Sequence, residues 1–403
     1  MKSRITPVLA LAAAALAVSP LSHPQPANDQ STPKKFPYKV IYYHPPKPSM
    51  TSAERDLAIS QASSGQTIPL WSYSTVAAQD SKTHTGIMVG RSPFAHGHRV
   101  TTIPTYLIPV ILTFQDTGHV FDPTTYDGCA PASESVIQLI QNSPLLENTS
   151  FTMNGVNVGS GQYLDEFQRA NFWAEVGGTP YHSTFTSNPT VLSAVNVTVP
   201  TANGFTDSFN GCSPIGLMDY SWWDNEVQTV IFPALTAEGV DPTSFPQFIF
   251  DSSAIYEGSI SNCCVLGYHN SFYNSGVFQT YSVNDYDNSG AFGTNTSVMS
   301  HELAEWLDDP NGSNPVPDWG HEGQQSACQS NLEVGDPLSP GFSTPTNPYS
   351  ITNTTTGVTY ELQELAFYSW FLGSSPSLGA GGKYSDNGTF TGYAKACPPG
   401  GTN

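Results

Sequence analysis

The sequence predicts an α+β domain, β-rich over residues 38–125 and more helical in its middle. Short apolar runs bounded by Pro, Gly and polar residues fill the first part, and apolar residues at helical spacing begin at Ala132. No internal repeat or linker separates the two regions after Tyr38, so residues 38–403 read as one domain. A chain of 403 residues is long enough to bury a sizeable core in that arrangement.

Charge narrows the possible partners. The chain carries 13 Lys+Arg against 33 Asp+Glu, a formal net charge of -20. Such a surface repels nucleic-acid phosphates and anionic lipid, so neither is an expected partner. Charged residues make up 11% of the chain and aromatic residues 12%, a balance that fits a loop-rich β protein rather than a disordered one.

The N-terminus points to export. Lys2 and Arg4 precede the small-apolar run VLALAAAALAV from Val8 to Val18, a charged segment and an apolar segment of secretory length. Residues 1–27 are therefore expected to be a signal peptide, cut between Ser19 and Ala27, with a linker over 28–37. Nothing else approaches the length of a membrane span, so the expected location is secreted or periplasmic. Six cysteines in an exported chain favour disulfides. Adjacent Cys263 and Cys264 are expected to take separate partners, because joining them strains the peptide between. The chain has no CxxC spacing, so a cysteine-ligated zinc site is not expected.

Taken in order, YKVIYY (38–43), IPLWSYSTVA (68–77) and HTGIMVGRS (84–92) read as strands, the last two as a hairpin across Gln79–Lys82. YLIPVILTF (106–114) is a continuous apolar run suited to a buried strand. From Ala132 a helix is expected, with Val136, Leu139 and Ile140 on one face and Pro144 ending or kinking it. QYLDEFQRANFWAEV (162–176) and WDNEVQTVIFPAL (223–235) are further helices, the first turning Leu164, Phe167, Ala170 and Phe172 or Trp173 inward. FIFDS (248–252) and FQTYSVNDYD (278–287) are strands.

The chemistry concentrates in SVMSHELAEWLDDPNG (297–312). Thr294 or Asn295 can cap a helix that Asp-Pro-Asn-Gly stops. At ~100° per residue, Met299, Leu303, Trp306 and Leu307 form an apolar stripe, while His301, Glu305, Asp308 and Asp309 form another with Glu302 at its margin. His301 and Glu305, one turn apart, can then offer a nitrogen and an oxygen to one ion. Glu302 sits beside them, placed to take a proton from an activated water and pass it to a leaving amine. The bland reading of the same residues is a solvated acidic face with one incidental histidine. Asp309 lies ~12 Å up the axis from His301 and could join the ion only if the helix ends early. In GYHN, before an expected edge strand, His269 could donate to a developing oxyanion.

The strand FQTYSVNDYD followed by the helix TSVMSHELAEWLDDP resembles the core of zincin metallopeptidases. It also resembles secreted bacterial proteins that carry His-Glu-x-x-Glu-x-x-x-Asp-Pro and a second acidic segment downstream, here NLEVGDP (331–337). LGYHNSF (266–272), QRANFW (168–173) and ELQELAFYSWF (361–371) extend the likeness over roughly residues 160–397. The resemblance implies a zincin-like fold, a mixed twisted sheet with an active-site helix. It further implies His301 and Glu305 as metal ligands, Glu302 as general base, and Glu333 or Asp336 as third ligand. His321 is an alternative ligand or a substrate contact. Zinc is the expected ion, with manganese, iron or calcium made more competitive by Glu305 in place of a histidine. The implied substrate is a peptide or protein. The competing expectation is a non-catalytic extracellular binding protein with a structural calcium. A serine-type triad has no anchor, because no G-x-S-x-G occurs.

Overall fold

Thr105–Phe114, which contains the continuous apolar run, is an interior strand of a seven-stranded sheet. Val195–Val199 and Phe245–Asp251 lie parallel to it on either side. Val277–Tyr286 follows, parallel to Phe245–Asp251, and Gly267–Asn274 closes that edge in the antiparallel sense. The sheet is therefore mixed, within an α+β chain. This computed structural model describes residues 49–397 except 97–99, 209–210, 293–294, 340–348, 378 and 380. The expected signal peptide, the linker and the strand YKVIYY lie outside the described residues.

Successive side chains of a strand face opposite ways, and both faces of this sheet are covered. On one face Ile108, Val110, Phe248, Phe250, Tyr281 and Val283 pack with Trp223, Val227, Ile231 and Phe232 of the helical run Tyr220–Ala237. On the other, Leu107, Phe245, Ile249 and Tyr286 pack with Leu303, Trp306 and Leu307 of the helix Ser297–Asp308. Trp306 stacks on Phe245 with ring centroids 3.6 Å apart. The helix that carries the motif is thus pinned against the two strands Val277–Tyr286 and Gly267–Asn274.

Most expected elements form where their pattern lies. Leu70–Val76 and Thr83–Val89 make the hairpin, with Val76 opposite Thr83. Val136–Gln141 is a helix that buries Val136, Leu139 and Ile140, and a Ser135–Gln138 capping box fixes its start. Tyr163–Asn171 and Trp173–Val176 divide the next expected helix, burying Leu164, Phe167, Ala170 and Phe172. Ser52–Ser63 is a helix not expected from apolar spacing, since it buries only Ala58 and Gln61; its signal is the Thr51–Glu54 capping box.

Three expectations change. GYHN lies inside the edge strand Gly267–Asn274 rather than before it. The motif helix starts after Thr296, because the Asn295 side chain accepts from both Thr296 N and Glu361 N and ties the helix start to a neighbouring strand. Cys263 and Cys264 pair with each other across a cis peptide, their Cα atoms 3.0 Å apart. The other four cysteines are taken by Cys129–Cys212 and Cys328–Cys397, which leaves the adjacent pair no separate partners. Among the described residues no helix is long and apolar enough to cross a membrane.

Candidate metal centre

The motif helix is buried on all sides. Its apolar stripe meets the sheet as expected, but the acidic side is not solvated: His301, Glu302, Glu305, Asp308 and Asp309 are each at most 1% exposed. An exposed acidic face with an incidental histidine is therefore excluded. Carboxylates out of water need compensation by hydrogen bonds, protons or a cation.

A neighbouring amide fixes which nitrogen His301 presents. Gln363 donates its amide N–H to the Gly335 carbonyl, at 2.5 Å, and to Ser339 Oγ. Its oxygen is thereby left to accept from His301 Nδ1, 3.1 Å away. With Nδ1 as the donor, His301 Nε2 faces Glu305 Oε2 at 3.1 Å, Asp336 Oδ1 at 3.5 Å and Glu302 Oε1 at 3.9 Å. The downstream loop comes close enough because residue 335 is glycine: a Cβ there would lie 2.3 Å from His301 Nδ1.

The carboxylates are oriented as firmly. Glu305 Oε1 accepts from the backbone N–H groups of Gly335 and Asp336, which turns Oε2 toward the histidine. Asp336 accepts from the side chains of Gln324, Gln325 and Gln329 around the hairpin Pro315–Asn331. Glu302 Oε1 has no hydrogen-bond partner among the described residues. Gly267 lets the edge strand approach this helix, since a Cβ there would lie 2.9 Å from Glu302 Cγ.

His269 enters from the edge strand with a role different from the one expected. Its Nε2–H donates to the Asp309 carbonyl at 3.1 Å, so in the neutral ring Nδ1 carries the lone pair. That nitrogen faces Glu302 Oε2 at 3.4 Å and Glu305 Oε2 at 4.0 Å. The ring thus points an acceptor, not a donor, at the cluster. Two groups of potential ligands result, His301–Glu305–Asp336 and His269–Glu302–Glu305, joined through Glu305.

Among the described residues, the ion-pair partners of Glu302, Glu305 and Asp336 are histidines, with no Lys or Arg. The electrostatics follow from that. Burial pulls the His301 imidazole down, but Glu305, Glu302 and Asp336 outweigh it and push it up to about 10. Burial, then the neighbouring Glu305, raises Asp336 to about 7, and burial with the same neighbours holds Glu302 well above the usual carboxylate range. A divalent cation is the partner that this excess of negative charge suits. The donors also fit one chemically, because imidazole nitrogen with carboxylate oxygen is a transition-ion set, whereas calcium prefers oxygen alone.

The remaining candidates separate. Of the two acidic residues in NLEVGDP, Asp336 reaches His301, while Glu333 lies near Glu305 and takes the Asn331 amide at 2.5 Å. Asp309 caps the helix end, its carboxylate accepting from Asn314 N at 2.6 Å. Asp308, expected on the His301 stripe, lies instead near Tyr73, Tyr181 and Tyr368. His321 is exposed on the hairpin beside the Cys328–Cys397 bridge and joins neither group. Gln363, Ser339 and Gly335 were not singled out from the sequence, although ELQELAF and GDP contain two of them. The chain matches no protein-family model, no curated protein and no solved structure.

Proposed function

We propose that this protein is an exported, zincin-like metal-dependent hydrolase acting on peptides, with zinc held by His301, Glu305 and Asp336. The observation that carries the proposal is the convergence of His301 Nε2, Glu305 Oε2 and Asp336 Oδ1, with the far side of each group already tied. Fixed outer hydrogen bonds of this kind are what orient metal ligands. When bound, the ion supplies Lewis acidity toward a carbonyl and toward water. Glu302 is the base: its Oε1 has no hydrogen-bond partner among the described residues, and burial raises its proton affinity above that of an ordinary carboxylate.

Glu302→Gln tests the proposal. It should abolish cleavage of unfolded-protein substrates while leaving zinc content unchanged, whereas His301→Ala should abolish cleavage and lose the ion of this centre. Retained cleavage in Glu302→Gln would refute the assigned role.

Burial favours a second reading, a binding protein with a structural ion. Each of these side chains is at most 2% exposed, so a substrate can reach them only if covering groups such as the Gln324 and Gln325 side chains move aside. On that reading the zinc-loaded protein cleaves nothing and loses thermal stability when stripped. The imidazoles argue for a transition ion rather than the expected calcium in this case too.

A further inference from the structure

A second convergence of metal-binding groups lies at the start of the helix Tyr163–Asn171. Asp165 and Glu166 occupy its first turn, and His182 opens the strand His182–Phe185. His182 Nδ1 lies 2.6 Å from Asp165 Oδ2 and 3.9 Å from Glu166 Oε1, and one atom from each residue falls within 4.8 Å of the others. None of these residues belongs to the centre on the motif helix.

Each carboxylate is held on its far side, and its near oxygen faces His182. Asp165 Oδ1 accepts from Ser183 N at 2.6 Å, and Glu166 Oε2 takes the Arg169 guanidinium at 3.2 Å. Glu166 Oε1, on a fully buried side chain, has no hydrogen-bond partner among the described residues. Arg169 is already engaged with Oε2 and with the carbonyls of Thr179 and Tyr181, so it leaves Oε1 uncompensated. Burial, then the charge on Asp165, pushes Glu166 up to about 7, as expected for a carboxylate short of positive charge.

The strand Val156–Gly161 roofs the pair with glycine. A Cβ on Gly161 would sit 2.5 Å from Asp165 Oδ2 and 2.7 Å from Glu166 Oε1, and one on Gly159 would sit 2.7 Å from Glu166 Oε2. Side chains there would fill the space beside the oxygens. His182 supplies access, because its side chain is 28% exposed while the two carboxylates are covered.

We infer that Asp165 Oδ2, Glu166 Oε1 and His182 Nδ1 form a second site for a divalent transition ion, with coordination positions left open to solvent. One imidazole and two carboxylates are a zinc-type donor set. Around a tetrahedral ion with bonds of about 2.1 Å, ligand atoms stand roughly 3.4 Å apart. The 2.6 Å contact therefore has to widen, and the partly exposed His182 can swing outward to allow it. Binding releases the proton now shared between His182 and Asp165. The ion would clamp the helix start to the strand beside it.

The test is zinc stoichiometry by equilibrium dialysis and elemental analysis of the full exported chain, with melting followed in parallel. Wild type should bind two zinc ions, and His182→Ala one. His301→Ala should also bind one, and its melting temperature should still rise on adding zinc. In a His301→Ala, His182→Ala double variant both the remaining ion and that rise should vanish. Glu166→Gln, which keeps the side-chain shape, should lose the same ion as His182→Ala. Zinc content equal to wild type in both His182→Ala and Glu166→Gln would overturn the second site. So would a His301→Ala protein that binds no zinc. If His301→Ala instead retained two ions, the centre on the motif helix would be the one to fail.

Discussion

His301 Nδ1 stands 3.1 Å from the side-chain oxygen of Gln363, and the amide nitrogen of the same side chain donates to the Gly335 carbonyl. One residue therefore sets the tautomer of the histidine and the position of the loop that delivers Asp336. Gln363→Leu should lower zinc affinity by about 10–100-fold, the usual cost of losing a group behind a metal ligand. Competition against a chromophoric chelator measures it. Unchanged affinity would show that His301 needs no such orientation.

Gly335 makes a steric prediction. A methyl group at this position would overlap the His301 ring, with its Cβ 2.3 Å from Nδ1. Gly335→Ala should lose the ion of the motif-helix centre and melt lower than wild type. Gly392→Ala is the control, because a Cβ there meets nothing within 4 Å. Equal zinc content in the two variants would contradict the close approach.

How much of this was legible in the sequence differs by kind of interaction. Local periodicity placed the hairpin Leu70–Val89, the central strand and the motif helix, because burial of alternate or helically spaced side chains leaves a pattern in the chain. The i, i+4 relation of His301 and Glu305 is local too, and so was readable. Asp336 and Glu333 were both eligible from NLEVGDP, and only the packing of that loop on His301 separates them. Contacts such as Gln363 to His301 span 62 residues and depend on how the sheet brings distant segments together. The cover over the acidic side of the motif helix was unreadable for the same reason: it comes from the loop at Gly335 and the edge strand at His269. The second cluster, joining Asp165 to His182, leaves no sequence pattern either.

Asp386 lies apart from both clusters and offers a pH-dependent prediction. The Tyr163 hydroxyl lies 2.5 Å from Asp386 Oδ2 and 2.6 Å from the Gln363 carbonyl, yet it has one proton to give. Both contacts are satisfied only if Asp386 is protonated and donates to the hydroxyl. Burial, then the nearby Glu364, raises its carboxyl to about 8 accordingly. A folded value above the unfolded one means that the folded chain binds more protons between about pH 4 and pH 8. The stability Asp386 contributes is thus fully present below about pH 4 and is lost as pH rises through about 8. Asp386→Asn keeps a donor without titrating, so its urea midpoint should fall less than that of wild type between pH 5 and pH 8. Parallel midpoint curves for the two proteins would rule this out.

Glu305→Gln separates what the metal centre needs from what the fold needs. Glu305 Oε1 accepts from Gly335 N and Asp336 N, and a glutamine oxygen can do the same. Glu305 is the foremost of the charges that hold His301 protonated, so without it the ring can become neutral and Nε2 can accept from the new amide nitrogen. The substitution also removes one buried negative charge from beside Glu302, Glu333 and Asp336, whose carboxyls Glu305 helps to raise. Metal-stripped Glu305→Gln should therefore melt at or above metal-stripped wild type, because a buried ion pair and the repulsion around it give way to a neutral hydrogen bond. With zinc present the order should reverse, since only wild type gains binding energy from the ion. Differential scanning calorimetry with and without zinc makes the comparison, and a stripped variant less stable than stripped wild type would show that Glu305 serves the fold first.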